Sequence, residues 1–107
     1  MRYLVLLLAF CGNVYAQGVK IGELNSYKVF PAFLEPYKKG WELAQEEINA
    51  SGGLLGRKLE IVSRDDGGTP GDAVRAAEEL LSREKATVLM GTFASNVFRA
   101  ERVSFWK

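Results

Sequence analysis

From Val19 to Met90 the chain changes its hydrophobic period repeatedly, and no other feature limits its fold so much. Val19 to Leu24 is a short apolar run of strand length. Further on, Tyr37, Trp41, Ala44 and Ile48 fall at helical spacing, with Lys38, Lys39, Glu42, Gln45 and Glu46 on the other side, the pattern of a helix that packs on one face. Pro31 and Pro36 bracket the loop that leads into this helix, with Pro36 near its first turn. Asn49 to Gly53 ends it, because Asn, Ser and paired Gly accept the left-handed backbone of a helix stop. Lys58 to Arg64 reads as a second strand, in which Leu59 and Ile61 alternate with Glu60 and Val62 adds apolar surface on the other face. Thr69, Pro70 and Asp72 fit a helix start as cap, first position and first-turn acid. Ala73, Ala76, Ala77, Leu80 and Leu81 then form an apolar face opposite Arg75, Glu78, Glu79 and Arg83. Thr87 to Met90 is a continuous apolar run, as expected of a parallel strand covered on both faces.

Strand, helix, strand, helix, strand is the order of an α/β fold. Right-handed crossovers place the strands in the order 2-1-3 with the helices on opposite faces, a doubly wound parallel sheet. Ligands on such sheets bind outside the carboxyl ends of the strands, where the strand order reverses. The loops 25–35, 65–68 and 91–96 are therefore the places to look for function.

Composition narrows the chemistry. The 107 residues leave room for one small domain, with no internal repeat or low-complexity tract. The sequence has no histidine and one cysteine, Cys11, which excludes His general-base chemistry, zinc sites built on Cys and His, and an internal disulfide. No catalytic residue, metal or cofactor is expected. Fourteen Lys plus Arg against thirteen Asp plus Glu leave a scattered net charge of +1, so nucleic acid is not an expected partner.

Residues 1–16 read as a cleavable signal peptide. Arg2 supplies the positive start, and Leu4 to Phe10 is an apolar core shorter than the about 20 residues of a membrane span. Val14 and Ala16 then stand three places and one place before a cut ahead of Gln17. Phe10, a bulky residue just before Cys11, argues against lipid attachment at that cysteine.

Each candidate loop has a functional and a plainer use. GTFASN, Gly91 to Asn96, offers a tight turn, hydroxyls and an amide where a following helix presents free N–H groups, which suits an anion such as a carboxylate. Thr92, Ser95 and Asn96 would equally cap that helix. Asp65 and Asp66 supply too few oxygens for a hard cation and continue into Gly67 and Gly68, so turn chemistry is the better account. GGLLG at Gly52 to Gly56 follows a helix rather than a strand and lacks the Lys and Ser/Thr of a phosphate loop. Tyr27, Phe30 and Phe33 could wall an apolar ligand or pack their own loop.

VKIGELNSY followed by PYKKGWELAQEEINASGGLLGRKLEIVSRDDGGTPGDAVRAAEELLSREKATVLMGTFASN resembles the start of the branched-chain amino-acid-binding proteins of ABC transporters. The most specific stretches are KGWELAQEEINASGGLLGRKLE and RDDGGTPGDAV. The resemblance implies the partial first lobe of a periplasmic-binding-protein type I fold over residues 17–96. It also implies a periplasmic protein that closes on an amino acid or related small solute, hands it to a membrane permease and catalyses nothing. It assigns the ligand carboxylate to Ser95, with Asn96 beside it, and an aromatic wall to Phe33. Residues 97–107, VFRAERVSFWK, depart from the alanine-rich helix of the family and are expected to be a divergent tail, from a truncated gene, a frameshift or an incomplete gene model. The alternatives are a ligand-sensing domain for an amide or amino acid, and a fragment without function. Export with cleavage after Ala16 is the first testable expectation: amino-terminal sequencing of the exported product should begin at Gln17, and not at Met1.

Overall fold

The computed structural model describes residues 18–105, so the signal peptide read over 1–16 and its cut before Gln17 lie outside the described residues. The elements run β1 (Val19–Asn25), α1 (Pro31–Ala50), β2 (Leu59–Asp65), α2 (Pro70–Ser82), β3 (Val88–Gly91) and α3 (Ser95–Phe105). The strands are parallel in the order β2-β1-β3, the doubly wound arrangement expected from the sequence. α3 runs through most of the residues expected to be a divergent tail, and Val97 in its first turn is fully buried.

Residues paired in register share a face of a parallel sheet, so Gly22 and Leu24 of β1 lie with Val62 of β2 and Leu89 of β3 under α2. Against them α2 turns Ala73, Ala77 and Leu80, all fully buried. The alanines and a glycine are what bring helix and strand close: a Cβ on Gly22 would stand 2.7 Å from the Leu89 side chain and 3.1 Å from Leu80. Leu24 and Leu80 are the largest apolar side chains of this core, each contributing about 1.5 to 3 kcal/mol by leaving water. At the start of α2, Thr69 is the N-cap with extended backbone and Pro70 follows it. Its hydroxyl donates to Asp72 Oδ2 at 2.6 Å rather than accepting from a backbone N–H, so the first turn is tied through the acid.

α1 departs from the sequence reading at both its start and its face. It begins at Pro31, not near Pro36, because Pro31 takes the first-turn position where a missing N–H costs nothing. Pro36 then sits inside the helix, and the carbonyl it cannot bond belongs to Ala32, an exposed residue. Leu34, Lys38, Trp41, Gln45, Ile48 and Asn49 turn toward the sheet, while Ala44 and Tyr37 are exposed and Trp41 is half-buried. Helix α1 lies beside the outer edge of β2 rather than over the middle of the sheet, and there polar side chains are useful. Asn49 accepts from the Leu59 N–H and donates to its carbonyl, both at 2.8 Å, and Gln45 Oε1 accepts from the Ile61 N–H at 2.9 Å. The same offset corrects the expectation for the last strand: Val88, level with Ile21 on the α1 face, stays 52% exposed instead of covered.

Asn49→Ala removes both partners of a buried strand residue. The variant should lose about 1 to 3 kcal/mol in urea denaturation and should self-associate more readily in sedimentation, because an outer strand edge is opened.

Candidate functional site

Parallel registers bring the carboxyl ends of the strands to one level, with Asn25 beside Asp65 and Leu24 beside Gly91. The loop after β3 is built tightly onto β1. Gly91 has φ +118°, and a Cβ there would stand 2.2 Å from the Leu24 carbonyl oxygen, so only glycine fits. Thr92 follows in the left-handed region at φ 63°, a conformation that persists because its neighbours hold it. Its N–H donates to the Leu24 carbonyl at 2.7 Å, and the Phe93 N–H donates to Asn25 Oδ1 at 2.8 Å. Asn25 in turn donates to Glu23 Oε1 at 2.6 Å, and Ser63 donates to Glu23 Oε2 at 2.6 Å. A buried carboxylate and a buried amide thus fix the loop from below.

Above this floor lies a cleft of about 440 Å³ lined by Asn25, Phe33, Leu34, Tyr37, Gly91 and Phe93. Phe33 and Phe93 are stacked, with centroids 5.8 Å apart and planes at 18°, and Phe30 meets Phe93 at 5.3 Å and 59°. Both are favourable aromatic geometries. Beneath α1, the Trp41 indole N–H donates to the Tyr27 hydroxyl at 3.2 Å, and Lys38 lies 5.8 Å over the Tyr27 ring. Burial pushes the Tyr27 hydroxyl well above the usual phenol range; the Trp41 donation opposes this and Glu23 adds to it. Burial, and then the charge of Glu23, raise Tyr37 as well.

The acidic pair does turn work. Asp65 accepts from the Gly67 N–H at 2.7 Å and the Lys28 N–H at 3.0 Å. Asp66 is buried and accepts from the Gly68 N–H at 2.7 Å and from the Ser26 hydroxyl. These bonds tie the loop after β2 to the loop after β1.

Of the residues singled out in the sequence, Phe33 lines the cleft, whereas Ser95 and Asn96 stand exposed as the first two residues of α3 and are not among its lining residues. The sequence reading passed over Glu23, Asn25, Tyr37 and Phe93. Glu23 and Asn25 did carry a signal: two polar residues at alternate positions near the carboxyl end of β1, on one face, beside the point where strand order reverses.

The pattern that defines the periplasmic binding proteins matches residues 19–103. The chain belongs to that family. Among relatives, an amino acid binding protein of Pseudomonas aeruginosa is 40% identical over 65 residues, which are 61% of this chain and 17% of that protein. A Leu/Ile/Val-binding protein homolog 7 of Brucella suis biovar 1 is 37% identical over 78 residues, 72% of this chain and 19% of the relative. The crystal structure of the branched-chain amino acid transporter substrate binding protein LivJ of Streptococcus pneumoniae with isoleucine superposes with a TM-score of 0.73 at 28% identity, covering 78% of this chain and 24% of that one. The solute binding protein of an ABC transporter from R. palustris, in complex with benzoate, gives 0.69 at 31% identity, covering 81% and 24%. The fold is that of the periplasmic binding proteins of type I, of which the chain spans about a fifth to a quarter.

The raised tyrosines give this periplasmic binding protein a definite alkaline response. A phenol whose folded value is raised favours the native state in its neutral form. That stability is complete below the unfolded value near 10 and is lost as pH rises toward the folded value. Ultraviolet titration should show Tyr27 ionising above the usual phenol range, and Tyr27→Phe should reduce the loss of stability above pH 10.

Proposed function

We propose that the chain forms the start of the first lobe of an extracytoplasmic solute-binding protein, which delivers an amino acid of branched-chain type, or a related small solute, to an ABC transporter permease. The observation that carries this reading is the position of the apolar cleft, at the strand-order reversal and on a loop pinned by Asn25. The first turn of α3 has N–H groups and the positive end of a helix dipole, and it stands directly after that loop. In this reading Ser95 and Asn96 receive the carboxylate there, and Phe33 covers the apolar part of the solute. The solute is bound and released unchanged, without catalytic residue, metal or cofactor. Location in the periplasm agrees with the reading of residues 1–16 as a leader and with the family.

Pockets of this kind bury about 70 to 90% of a ligand, and the described residues supply one wall. The 107-residue chain should therefore bind leucine or valine near the millimolar range, about −4 kcal/mol, in an NMR titration. Ser95→Ala, at an exposed position, should weaken binding by about 1 kcal/mol and leave the fold intact. Absence of binding, or an affinity unchanged by Ser95→Ala, counts against the reading.

A further inference from the structure

We propose that the end of the sheet opposite the cleft is a membrane-contact face, where Leu55 enters the interface of an anionic bilayer and Lys58 and Lys85 meet its headgroups. The parallel registers that align the cleft end also bring the amino ends of the strands together. Val19 lies beside Leu59, and its N–H donates to the Lys58 carbonyl at 2.8 Å. The Thr87 N–H, just before β3, donates to the Lys20 carbonyl at 2.9 Å. The connections from α1 to β2 and from α2 to β3 therefore flank the entry into β1.

The first of these connections carries an apolar tip. The Leu54 N–H donates to the Arg57 carbonyl at 2.7 Å and the Arg57 N–H to the Leu54 carbonyl at 3.0 Å. They close a turn whose two central residues are left-handed, Leu55 at φ 51° and Gly56 at φ 76°. Asn before Gly is the pair that such a turn favours. Leu55 holds the first position at a cost to the backbone, and it is fully exposed, with Leu54 exposed beside it. Neither turn chemistry nor packing accounts for a leucine there, whereas an apolar medium outside the protein does.

The surroundings of the tip are cationic. Two shallow hollows that share Gly18 and Glu60 are lined by Lys20, Lys58, Arg83 and Lys85 against Glu60 and Glu84. Lys20 pairs with Glu84 at 3.7 Å and Arg83 with Glu79 at 3.3 Å. No ion pair among the described residues involves Lys58 or Lys85, and both are exposed. A projecting leucine among lysines suits a lipid interface, since the apolar tip sinks and the long stems carry their charges to the phosphates. One narrow turn beside charged hollows offers little of the area that a protein interface buries. The polypeptide ahead of Gly18, with its apolar run Leu4 to Phe10, also joins β1 at this end. The segment from Phe10 to Gly18 can reach no more than about 30 Å, so lipid that holds the apolar run lies near this face.

The test follows the leucine and valine methyl signals of the 107-residue chain by NMR on bicelles with a nitroxide headgroup label. The bicelles are phosphatidylcholine alone, or phosphatidylcholine and phosphatidylglycerol in about equal parts. On the anionic bicelles the Leu55 methyls should broaden at least about 3-fold more than those of Val29, an exposed residue in the loop after β1 at the cleft end. On phosphatidylcholine alone, and in the variant carrying both Lys58→Glu and Lys85→Glu, the difference should vanish. Leu55→Asn suits the turn better, so it should keep or raise the urea midpoint while reducing the broadening at Leu54. Equal broadening at Leu55 and Val29 overturns the assignment. Broadening at Leu55 that persists on neutral bicelles or in the charge-reversed variant does so too, since the leader alone then brings the chain to lipid. Shifts of Leu55 with polyglutamate as large as those on anionic bicelles assign the face to an acidic protein instead. A loss of stability in Leu55→Asn returns the leucine to a structural role and also overturns the proposal.

Discussion

Everything at the cleft end of the molecule depends on the two parallel registers of β1. It is the only strand among the described residues paired on both sides, with Val19 to Asn25 against β2 and Ile21 to Leu24 against β3. Parallel pairing sets all chain directions alike, so the strand ends, and the loops that leave them, arrive together. A slip of one residue on either side would turn Glu23 and Asn25 onto the α2 face, where Gly22 and Leu24 now pack. The loop after β3 would then lose the amide that holds Phe93.

The two faces of the sheet are secured by different physics. Under α2 the contact is apolar and close, made possible by alanine and glycine. On the α1 side hydrogen bonds do much of the holding: Gln45 and Asn49 bond the outer backbone of β2, and Glu23 is shared between Asn25 and Ser63. Directional bonds of this kind specify one geometry more sharply than apolar contact, and each leaves an expensive orphan if one partner is removed. The ion pairs around Arg64, with Glu84 at 3.1 Å and Glu79 at 3.7 Å, are partly exposed and add little by comparison.

Much of this was legible in the sequence, for reasons tied to particular residues. The β/α alternation followed from period, the 2-1-3 order from right-handed crossovers with the helices on opposite faces, and Thr69-Pro70 marked the start of α2. Pro31 and Pro36 misled because either proline suits a first turn, and only tertiary context decides which one takes it. The inner face of α1 was misjudged because amphipathic patterning assumes that a helix buries carbon, whereas this helix meets a strand edge, where an amide is the better neighbour. At the cleft, Phe33 was visible as an aromatic in the right loop. Asn25 was not, since its role depends on a pairing with Phe93, 68 residues away, that no local pattern encodes.

The capped edge of β2 has a counterpart across the sheet. Part of the outer backbone of β2 is already bonded by α1, while no strand among the described residues pairs with the outer side of β3, whose Val88 is half exposed. The sheet therefore has a polarity of growth: any additional strand finds one side partly stoppered and the other ready to receive it. That side is also the one whose end carries Gly91, Thr92 and Phe93. A strand joining there would lie alongside the cleft, so extending the sheet and extending the cleft wall would be the same structural event.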